Sequence, residues 1–253
     1  MRTAIITGAA SGIGLELTKS YIDEGYNVVM VDINEEKLKS ESANFNKDQV
    51  LTIQCDVTKE DDIKNVVEST VSHFDSIDVL INNAGLQHVS MIEDFPSEKF
   101  EMMINIMLVA PFKFIKYVSP IMKKQNYGRI LNMSSINGVI GFSGKSAYNS
   151  AKHGLLGLTK VAALELATYG ITVNAICPGY IDTPLVRGQM EDLAKTRNVS
   201  VEQVLDEVIF PLVPQKKLID IKEICDYCIF LSKETTTAVT GQSIIIDGGY
   251  TVQ

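Results

Sequence analysis

The chain has 253 residues, of which 45% are hydrophobic and 21% are charged, and its formal net charge is −8. This length fits one α/β domain with a substantial core, and the negative charge argues against a nucleic-acid or membrane-surface partner. No signal peptide precedes the first strand pattern, and we expect no stretch of the roughly 20 apolar residues that span a bilayer. The expected compartment is the cytoplasm.

The first predicted elements are a strand over residues 2–7, a glycine turn and a helix over residues 15–24. The turn carries Gly8, Gly12 and Gly14 in the spacing G-x-x-x-G-x-G. Small residues there let the backbone amides at the helix N-terminus approach a pyrophosphate. The sequence therefore predicts a dinucleotide phosphate site at this turn.

A second predicted strand, over residues 27–31, ends at Asp32. A carboxylate at this point can accept hydrogen bonds from both ribose hydroxyls of an adenosine, and it would repel a phosphate on that ribose. Asp32 therefore favours NAD over NADP. The alternative is that Asp32 is the N-cap of a helix over residues 34–43.

Strand and helix patterns alternate through most of the remaining chain. Further strands are predicted over residues 50–54, 79–81, 128–134, 171–176 and 243–247. Such alternation predicts an α/β fold with a single Rossmann-like, doubly wound parallel sheet that helices cover on both faces. Ligands collect at the carboxyl ends of such strands, where we expect Gly8, Asp32, Asp56, Asn82, Ser135 and Pro178.

Ser135, Tyr148 and Lys152 form the candidate catalytic group. Tyr148 and Lys152 are four residues apart in a helical pattern, so both side chains are expected on one helix face. The ammonium would lower the pKa of Tyr148 from about 10 and make the phenol a usable proton carrier. The Ser135 hydroxyl could hold a substrate oxygen that is alternately alcohol and carbonyl. Taken alone, this spacing also fits an ordinary amphipathic helix.

Two predicted helices, over residues 100–112 and 153–167, are apolar around most of their circumference. A helix that is hydrophobic all round is normally buried on all sides, so we expect a second subunit to cover them. Asn105 lies in the first helix and is expected to be buried with a partner. The alternative is a polar group that bonds its own backbone.

The alternation stops between Pro178 and Leu218. Residues 184–217 carry mixed charged and apolar residues without a strand pattern, and a segment this long is usually functional. We expect a lid inserted into the single domain of residues 1–253, closing over a substrate. Thr183 would contact a cofactor or, alternatively, cap the lid helix.

The cysteines and histidines indicate neither a disulfide framework nor a metal site. The four cysteines do not fit a disulfide pattern in a chain of this size. Cys225 and Cys228 could form a redox pair, but structural thiols are the favoured interpretation. His73, His88 and His153 lack the spacing of metal ligands.

The order of these motifs resembles that of the short-chain dehydrogenase/reductase family, and the resemblance covers essentially the whole chain. The matching positions are 7–14, Asp56, Val57, Asn82, Asn83, Ala84, Gly85, Asn105, Ser135, Tyr148, Lys152, Pro178 and Gly179. The resemblance implies a nicotinamide-dependent oxidoreductase that assembles as a homotetramer through the two apolar helices.

The resemblance also implies a role for each matching residue. The catalytic residues would be Asn105, Ser135, Tyr148 and Lys152, with Asn105 holding a water that passes the proton to solvent. The NAD-binding residues would be Gly8, Ser11, Gly12, Ile13, Gly14, Asp32, Asp56, Val57, Asn83, Ala84, Gly85, Tyr148, Lys152, Pro178, Gly179, Ile181 and Thr183.

Within the family, the chain resembles the (R)-3-hydroxybutyrate dehydrogenases, which implies a small hydroxy acid as substrate. Its carboxylate would bind Gln87, Lys145 and Gln189, and the other pocket residues would be Ser135, Asn137, Tyr148, Tyr180 and Tyr250. The chain departs from that group at Asn137, which replaces a histidine, and at Tyr180 and Tyr250, which replace tryptophans.

Several alternatives to this substrate stay open. Lys145 could be a solvated lysine of the first helical turn, and Gln189 a surface residue of the lid. A diol, a hydroxyketone or another 3-hydroxyacyl compound is an alternative substrate. A dinucleotide sensor without catalysis is less favoured, because a sensor needs no proton carrier.

Overall fold

A computed structural model describes residues 1–183, 186–187, 190–191, 194 and 199–252. Its centre is a sheet of seven parallel strands in the order β3-β2-β1-β4-β5-β6-β7. The strands are β1 (Thr3–Thr7), β2 (Asn27–Asp32), β3 (Val50–Gln54), β4 (Val79–Asn82), β5 (Gly128–Met133), β6 (Ile171–Pro178) and β7 (Ser243–Ile246). All seven predicted strands are present, with ends that differ by two residues or fewer.

Helices connect the strands and cover both faces of the sheet. In the part of the chain that the structure describes, the α-helices are α1 (Gly12–Asp23), α2 (Glu35–Ser42), α3 (Glu60–Phe74), α4 (Ser97–Ile104), α5 (Ala110–Gln125), α6 (Ser146–Leu166), α7 (Val201–Val204) and α8 (Ile221–Ser232). One apolar layer packs α1 and α8 on the sheet, and the other packs α3, α5 and α6 on the opposite face. The predicted Rossmann-like fold class is therefore confirmed.

The inner strands have the burial pattern that is typical of a parallel sheet. Every residue of β1, β4, β5 and β6 is buried, as expected for strands that helices cover on both sides. The strand order reverses between β1 and β4, which are neighbours. A crevice opens at such a reversal, outside the carboxyl ends of the strands, and ligands of this fold bind there.

The long apolar segment Ser97–Gln125 has the length and composition of a membrane-crossing helix, contrary to the sequence expectation. In the fold it is divided by a turn of π-helix, Asn105–Val109. Its apolar side chains Met103, Phe114 and Val118 are each no more than 1% exposed. Packing against the sheet and α6 accounts for this part of its apolar composition.

All four cysteines are buried free thiols. Burial raises the pKa of Cys55 to about 12 and those of Cys177 and Cys225 to about 11, and it also raises the pKa of Cys228. Thiols in this state are unreactive, which agrees with their interpretation as structural residues. The described part of the chain holds no cluster of side chains that could bind a metal.

Candidate active site

The glycine turn after β1 allows an unusually close approach of two backbone segments. Gly8 and Gly12 have φ angles of +67° and +54°, which favour glycine. A Cβ on Gly14 would lie 2.1 Å from the Gly8 carbonyl oxygen, so α1 can begin here only without a side chain. Ser11 is exposed and makes no side-chain capping bond at the start of α1. The helix N-terminus can therefore receive a phosphate group.

The loop after β4 is fixed to this turn by Thr7, the first of the matching positions 7–14 and one to which the sequence analysis assigns no individual role. The Thr7 hydroxyl accepts hydrogen bonds from the backbone N–H groups of Asn83 and Ala84, at 2.9 and 3.0 Å. The Asn83 amide nitrogen donates to the Thr7 carbonyl at 2.9 Å. A Cβ on Gly8 would lie 3.0 Å from Ala84 Cα. The predicted phosphate turn and the β4 loop thus form one rigid surface.

Asp32 directs its carboxylate towards the glycine turn. One oxygen accepts from the Ala10 N–H at 3.0 Å, and the other accepts from the Asn34 N–H at 3.1 Å. The N-cap of α2 is Asn34, whose side chain accepts from the Lys37 N–H. The capping alternative for Asp32 is therefore wrong, and its carboxylate lies at the rim of the predicted dinucleotide site.

Asp56, Val57 and Ile13 complete the described surroundings of this region. The Asp56 carboxylate accepts from the Thr58 hydroxyl and N–H, and these bonds lower its pKa. Val57 is partly buried in the apolar layer below the β4 loop, whereas Ile13 packs on the opposite layer with α1. Gly85 is exposed in the loop after β4. Their roles in cofactor binding stay predictions.

Ser135, Tyr148 and Lys152 meet at the end of β5. Ser135 caps the short helical turn Ile136–Gly138, where its hydroxyl accepts from the Asn137 N–H at 3.1 Å. Tyr148 and Lys152 lie in the first two turns of α6. The Lys152 ammonium donates to the Met133 carbonyl at 2.6 Å and lies 5.5 Å from the centroid of the Tyr148 ring.

The Ser135 segment and α6 contact each other through backbone atoms. A Cβ on Gly138 would lie 2.6 Å from the Ser134 hydroxyl and 2.8 Å from the Lys152 carbonyl oxygen. The Ser134 hydroxyl donates to that same carbonyl at 3.1 Å. This contact fixes the serine loop against the helix that carries the phenol and the ammonium.

The pKa values of this group differ from the sequence expectation. Burial raises the pKa of Tyr148, and its interaction with the Ser135 hydroxyl opposes that rise. Burial also lowers the pKa of Lys152 to about 8. The expected lowering of the Tyr148 pKa by Lys152 is absent, because the ammonium bonds the Met133 carbonyl and burial disfavours both charged forms.

Asn105 is exposed at the first position of the π turn. The buried positions of this segment are Met103 and Met107, at 0% and 1% exposure, and both pack in an apolar cluster with Tyr148. A Cβ on Gly85 would lie 3.4 Å from the Met107 sulfur. The prediction that Asn105 is buried is wrong, and its proton-relay role stays a prediction.

Lys145 immediately precedes α6 and is half-buried. Its ammonium lies 4.4 Å from the centroid of the Phe142 ring, and burial lowers its pKa. Among the described residues, no carboxylate forms an ion pair with it. Gln87 is also half-buried, in the loop after β4. The predicted partner Gln189 lies outside the described residues.

Tyr180 and Tyr250 belong to an apolar cluster that includes described residues of the 199–213 segment. Their ring centroids are 6.1 Å apart, and burial raises the pKa of Tyr180 to about 12. They pack with Ile209, Phe210 and Val213 from the described end of the lid segment. Asn137, by contrast, is 5% exposed beside Ser135.

The segment after β6 turns sharply. Gly179 donates its N–H to the Ile246 carbonyl, and a Cβ on Gly179 would lie 3.0 Å from Asp247 Cα. Ile181 forms a parallel bridge with Ile219. The Thr183 hydroxyl accepts from the Val186 N–H at 3.3 Å, which is the capping geometry given as its alternative. Contact of Pro178, Gly179, Ile181 and Thr183 with a cofactor stays a prediction.

Known proteins share both the sequence pattern and the fold of this chain. Residues 2–194 match the family model of short chain dehydrogenases. The chain belongs to the short-chain dehydrogenase family. Members of this family bind a nicotinamide dinucleotide, and the glycine turn, the Asp32 rim and the β4 loop fit such a group. A side chain at Gly14 would collide with the turn that has to approach the pyrophosphate.

Relatives extend over the whole length of this dehydrogenase. An uncharacterised oxidoreductase of Bacillus subtilis, YxjF, is 52% identical, and the match covers 100% of this chain and 99% of the relative. The D-beta-hydroxybutyrate dehydrogenase of Rhizobium meliloti is 40% identical over 100% and 99% of the two chains. L-sorbose reductase from Gluconobacter frateurii, complexed with NADPH and L-sorbose, has a TM-score of 0.94 and 28% identity, covering 100% and 97%.

We expect Lys152→Met to stabilise the protein without dinucleotide at pH 7. Burial lowers the pKa of Lys152 from the ordinary lysine value of 10.5 to about 8, so below pH 8 the buried ammonium lowers the free energy of unfolding. The variant should gain roughly 1–3 kcal/mol. That gain should shrink as the pH rises from about 8 towards 10.5, where Lys152 is neutral in both states.

Urea unfolding at pH 7 and pH 10 measures this difference, with Lys124→Met as the control because Lys124 is an exposed lysine. The control should unfold like the wild type. A Lys152→Met variant that is less stable at pH 7 would show that the bond to the Met133 carbonyl outweighs the cost of burying the charge.

Proposed function

We propose that this protein is an NAD-dependent dehydrogenase that interconverts (R)-3-hydroxybutyrate and acetoacetate. The observation that carries the proposal is the half-buried Lys145 ammonium, which lacks a carboxylate partner among the described residues and immediately precedes the helix of Tyr148. The Rhizobium meliloti relative named D-beta-hydroxybutyrate dehydrogenase supports it.

An unpaired, partly desolvated cation favours an anionic ligand. Removing an ammonium from water is unfavourable unless an opposite charge or hydrogen bonds replace the lost solvation. Lys145 is three residues before Tyr148, which corresponds to an axial rise of about 4.5 Å in a helix. A 3-hydroxy acid has one methylene between its carboxylate and the carbon that bears its hydroxyl, so it can contact both residues.

The chain's own residues would bind the substrate and move its proton. The Ser135 and Tyr148 hydroxyls hold the substrate oxygen, and Lys145 with Gln87 holds the carboxylate. The nicotinamide, when bound, accepts the hydride from the carbon that bears the hydroxyl. Tyr148 takes the hydroxyl proton, for which its charged form must be populated. Because burial raises the Tyr148 pKa and the Ser135 hydroxyl opposes that rise, the population of the charged form depends on this serine.

NAD is the proposed dinucleotide because the end of β2 is acidic. Residues 32–36 read Asp-Ile-Asn-Glu-Glu, and they contain no lysine or arginine that could bind a ribose phosphate. The Asp32 carboxylate at the rim would accept hydrogen bonds from ribose hydroxyls and repel a phosphate. The family contains a structural relative complexed with NADPH, so the choice depends on these residues and not on the fold.

A diol, a hydroxyketone or another 3-hydroxyacyl compound is the second candidate substrate. The observation in its favour is a set of uncharged polar groups, since Asn137 lies beside Ser135 and the rings of Tyr180 and Tyr250 are 6.1 Å apart. Phenol and amide groups suit uncharged hydroxyls as well as a carboxylate. A sensor without catalysis is disfavoured by the presence of Ser135, Tyr148 and Lys152 together.

The decisive measurement is the initial rate of NADH formation with (R)-3-hydroxybutyrate, its S enantiomer, its methyl ester and 2,3-butanediol. We expect rapid oxidation of the R acid, a slow residual rate on its methyl ester and little turnover of the S acid or the diol. Lys145→Met should raise the KM for the acid by about one to two orders of magnitude, because a charge-assisted contact is lost. Residual activity on the ester should not change.

Lys124→Met is the control for this measurement and should leave the KM for the acid unchanged. Tyr148→Phe should lose about 10²–10⁴-fold in turnover while NADH binding is retained. A better rate with the diol than with the acid would contradict the substrate assignment. An unchanged KM for the acid in Lys145→Met would show that Lys145 does not bind the substrate carboxylate.

Asp32→Ser tests the choice of dinucleotide. We expect kcat/KM with NADP to rise relative to that with NAD by about tenfold or more, because the repulsion of the ribose phosphate is removed. Rates with both dinucleotides at saturating substrate give the ratio. Glu36→Ser is the control at an exposed neighbouring position. Equal NADP-to-NAD ratios of kcat/KM in the two variants would show that Asp32 does not select the cofactor.

We further propose a homotetramer in which α4, α5 and α6 contact a second subunit. Phe112, Val161 and Leu164 are 51%, 53% and 81% exposed in the single chain, and exposed apolar patches are typical of interfaces. Light scattering should give about four times the chain mass of 27.8 kDa. Leu164→Asp should reduce the mass, and Ile92→Asp, at another exposed position, should not. A monomer at micromolar concentration would contradict this assembly.

A further inference from the structure

The loop after β4 and the segment before α6 are joined by a short parallel bridge. Ser90 pairs with Lys145 in this bridge, and the Ser90 N–H donates to the Gly144 carbonyl at 2.9 Å. Gln87 is three residues before Ser90. The bridge therefore connects the two segments that carry the proposed ligands of the substrate carboxylate.

Gly144 allows the bridge to form. Its φ angle is +77°, a left-handed conformation that side chains disfavour. A Cβ at this position would lie 3.1 Å from Val89 Cγ1, which is tighter than ordinary van der Waals contact. Gly144 thus has two roles. It adopts the φ angle of the turn, and its missing Cβ leaves room for the Val89 side chain.

Lys145 is fixed on its other sides as well. Its N–H donates to the Phe142 carbonyl at 3.3 Å, and its carbonyl accepts from the Asn149 N–H at 2.8 Å. The Phe142 ring lies 4.4 Å from the ammonium, a cation–π distance. Backbone and side chain are both restrained, while the described residues leave the charge without a carboxylate.

We infer that Gly144 and Val89 are positioning residues that set the Lys145 ammonium for an anionic substrate group. The inference rests on the proposed function for the nature of that group. Val89 packs on Gly144, the Ser90–Lys145 bridge closes, and the Lys145 backbone is held at the start of the catalytic helix. Neither Gly144 nor Val89 touches the reacting atoms in this arrangement.

The functional reason is the distance between two charged groups. Lys145 can bind a carboxylate only if its ammonium lies within hydrogen-bond range while the substrate hydroxyl stays at Tyr148. A displacement of about 1 Å can cost two orders of magnitude in rate. The bridge limits such a displacement of Lys145. Its other half, Ser90, belongs to a loop more than fifty residues before α6.

The test compares Gly144→Ala with Gly141→Ala. Gly141 lies in the same segment, but it is exposed, and a Cβ there meets nothing within 4 Å. Gly144→Ala should raise the KM for (R)-3-hydroxybutyrate by about tenfold and leave the Kd for NADH and the rate on the methyl ester unchanged. Gly141→Ala should behave like the wild type. Equal effects of Gly144→Ala on acid and ester would overturn the inference, as would no effect on the acid.

A second pair of variants separates the contact from backbone strain. Val89→Ala removes the Cγ1 atom. If the steric contact matters, adding Val89→Ala to Gly144→Ala should lower the KM for the acid part of the way back to the wild-type value. Gly144→Asn tolerates positive φ better than alanine does, yet it still adds a Cβ against Val89. If Gly144→Ala fails to fold, Gly144→Asn takes its place in the test. An unchanged KM for (R)-3-hydroxybutyrate in Gly144→Asn would show that the contact between a side chain at position 144 and Val89 does not matter.

Two readouts do not depend on turnover. Hydrogen exchange over residues 87–91 should be faster in Gly144→Ala than in Gly141→Ala, because the Ser90 N–H loses its bond. Acylation of the Lys145 amine should also be faster. If the wild type oxidises no 3-hydroxy acid, the proposed function fails, and these two rates decide the positioning claim alone. Equal rates in both variants would overturn it.

Discussion

The bond from the Lys152 ammonium to the Met133 carbonyl is the interaction on which the site depends. It ties α6 to the end of β5, and so it brings the helix of Tyr148 to the loop of Ser135. Lys152 is 4% exposed, and the partner of its ammonium is a neutral carbonyl. Burial without a counter-ion is unfavourable. The fold therefore holds a charge that costs stability at a place where chemistry can use it.

Close backbone contacts make this arrangement possible. A Cβ would collide at Gly14 with the Gly8 carbonyl and at Gly138 with the Lys152 carbonyl. Each contact joins a strand end to the helix that follows or crosses it, so side chains from distant parts of the chain reach one crevice. Parallel strands with helical crossovers place all these ends on the same edge of the sheet. The geometry of the site therefore follows from the sheet topology and from glycines at the points of close contact.

The fold, the glycine turn and the Ser135 group could be predicted because each leaves a periodic or short-range signal. The position of Asn105 could not, since a turn of π-helix shifts the helix face and the 3.6-residue period does not reveal it. The raised Tyr148 pKa also escaped prediction, because spacing shows that an ammonium is near but not which oxygen it bonds. The bridge between Ser90 and Lys145 is a long-range pairing without a local pattern. Thr7 likewise acts through a loop distant in sequence.

The state of the thiols has a practical consequence for spectroscopy. Cys55, Cys177, Cys225 and Cys228 are all buried, and burial raises the pKa of each. Maleimide and iodoacetamide reagents modify the thiolate form of exposed cysteines. A single cysteine introduced on the surface would therefore be labelled selectively in the native protein. Fluorescent or paramagnetic probes could therefore be attached at chosen surface positions without removal of any native cysteine.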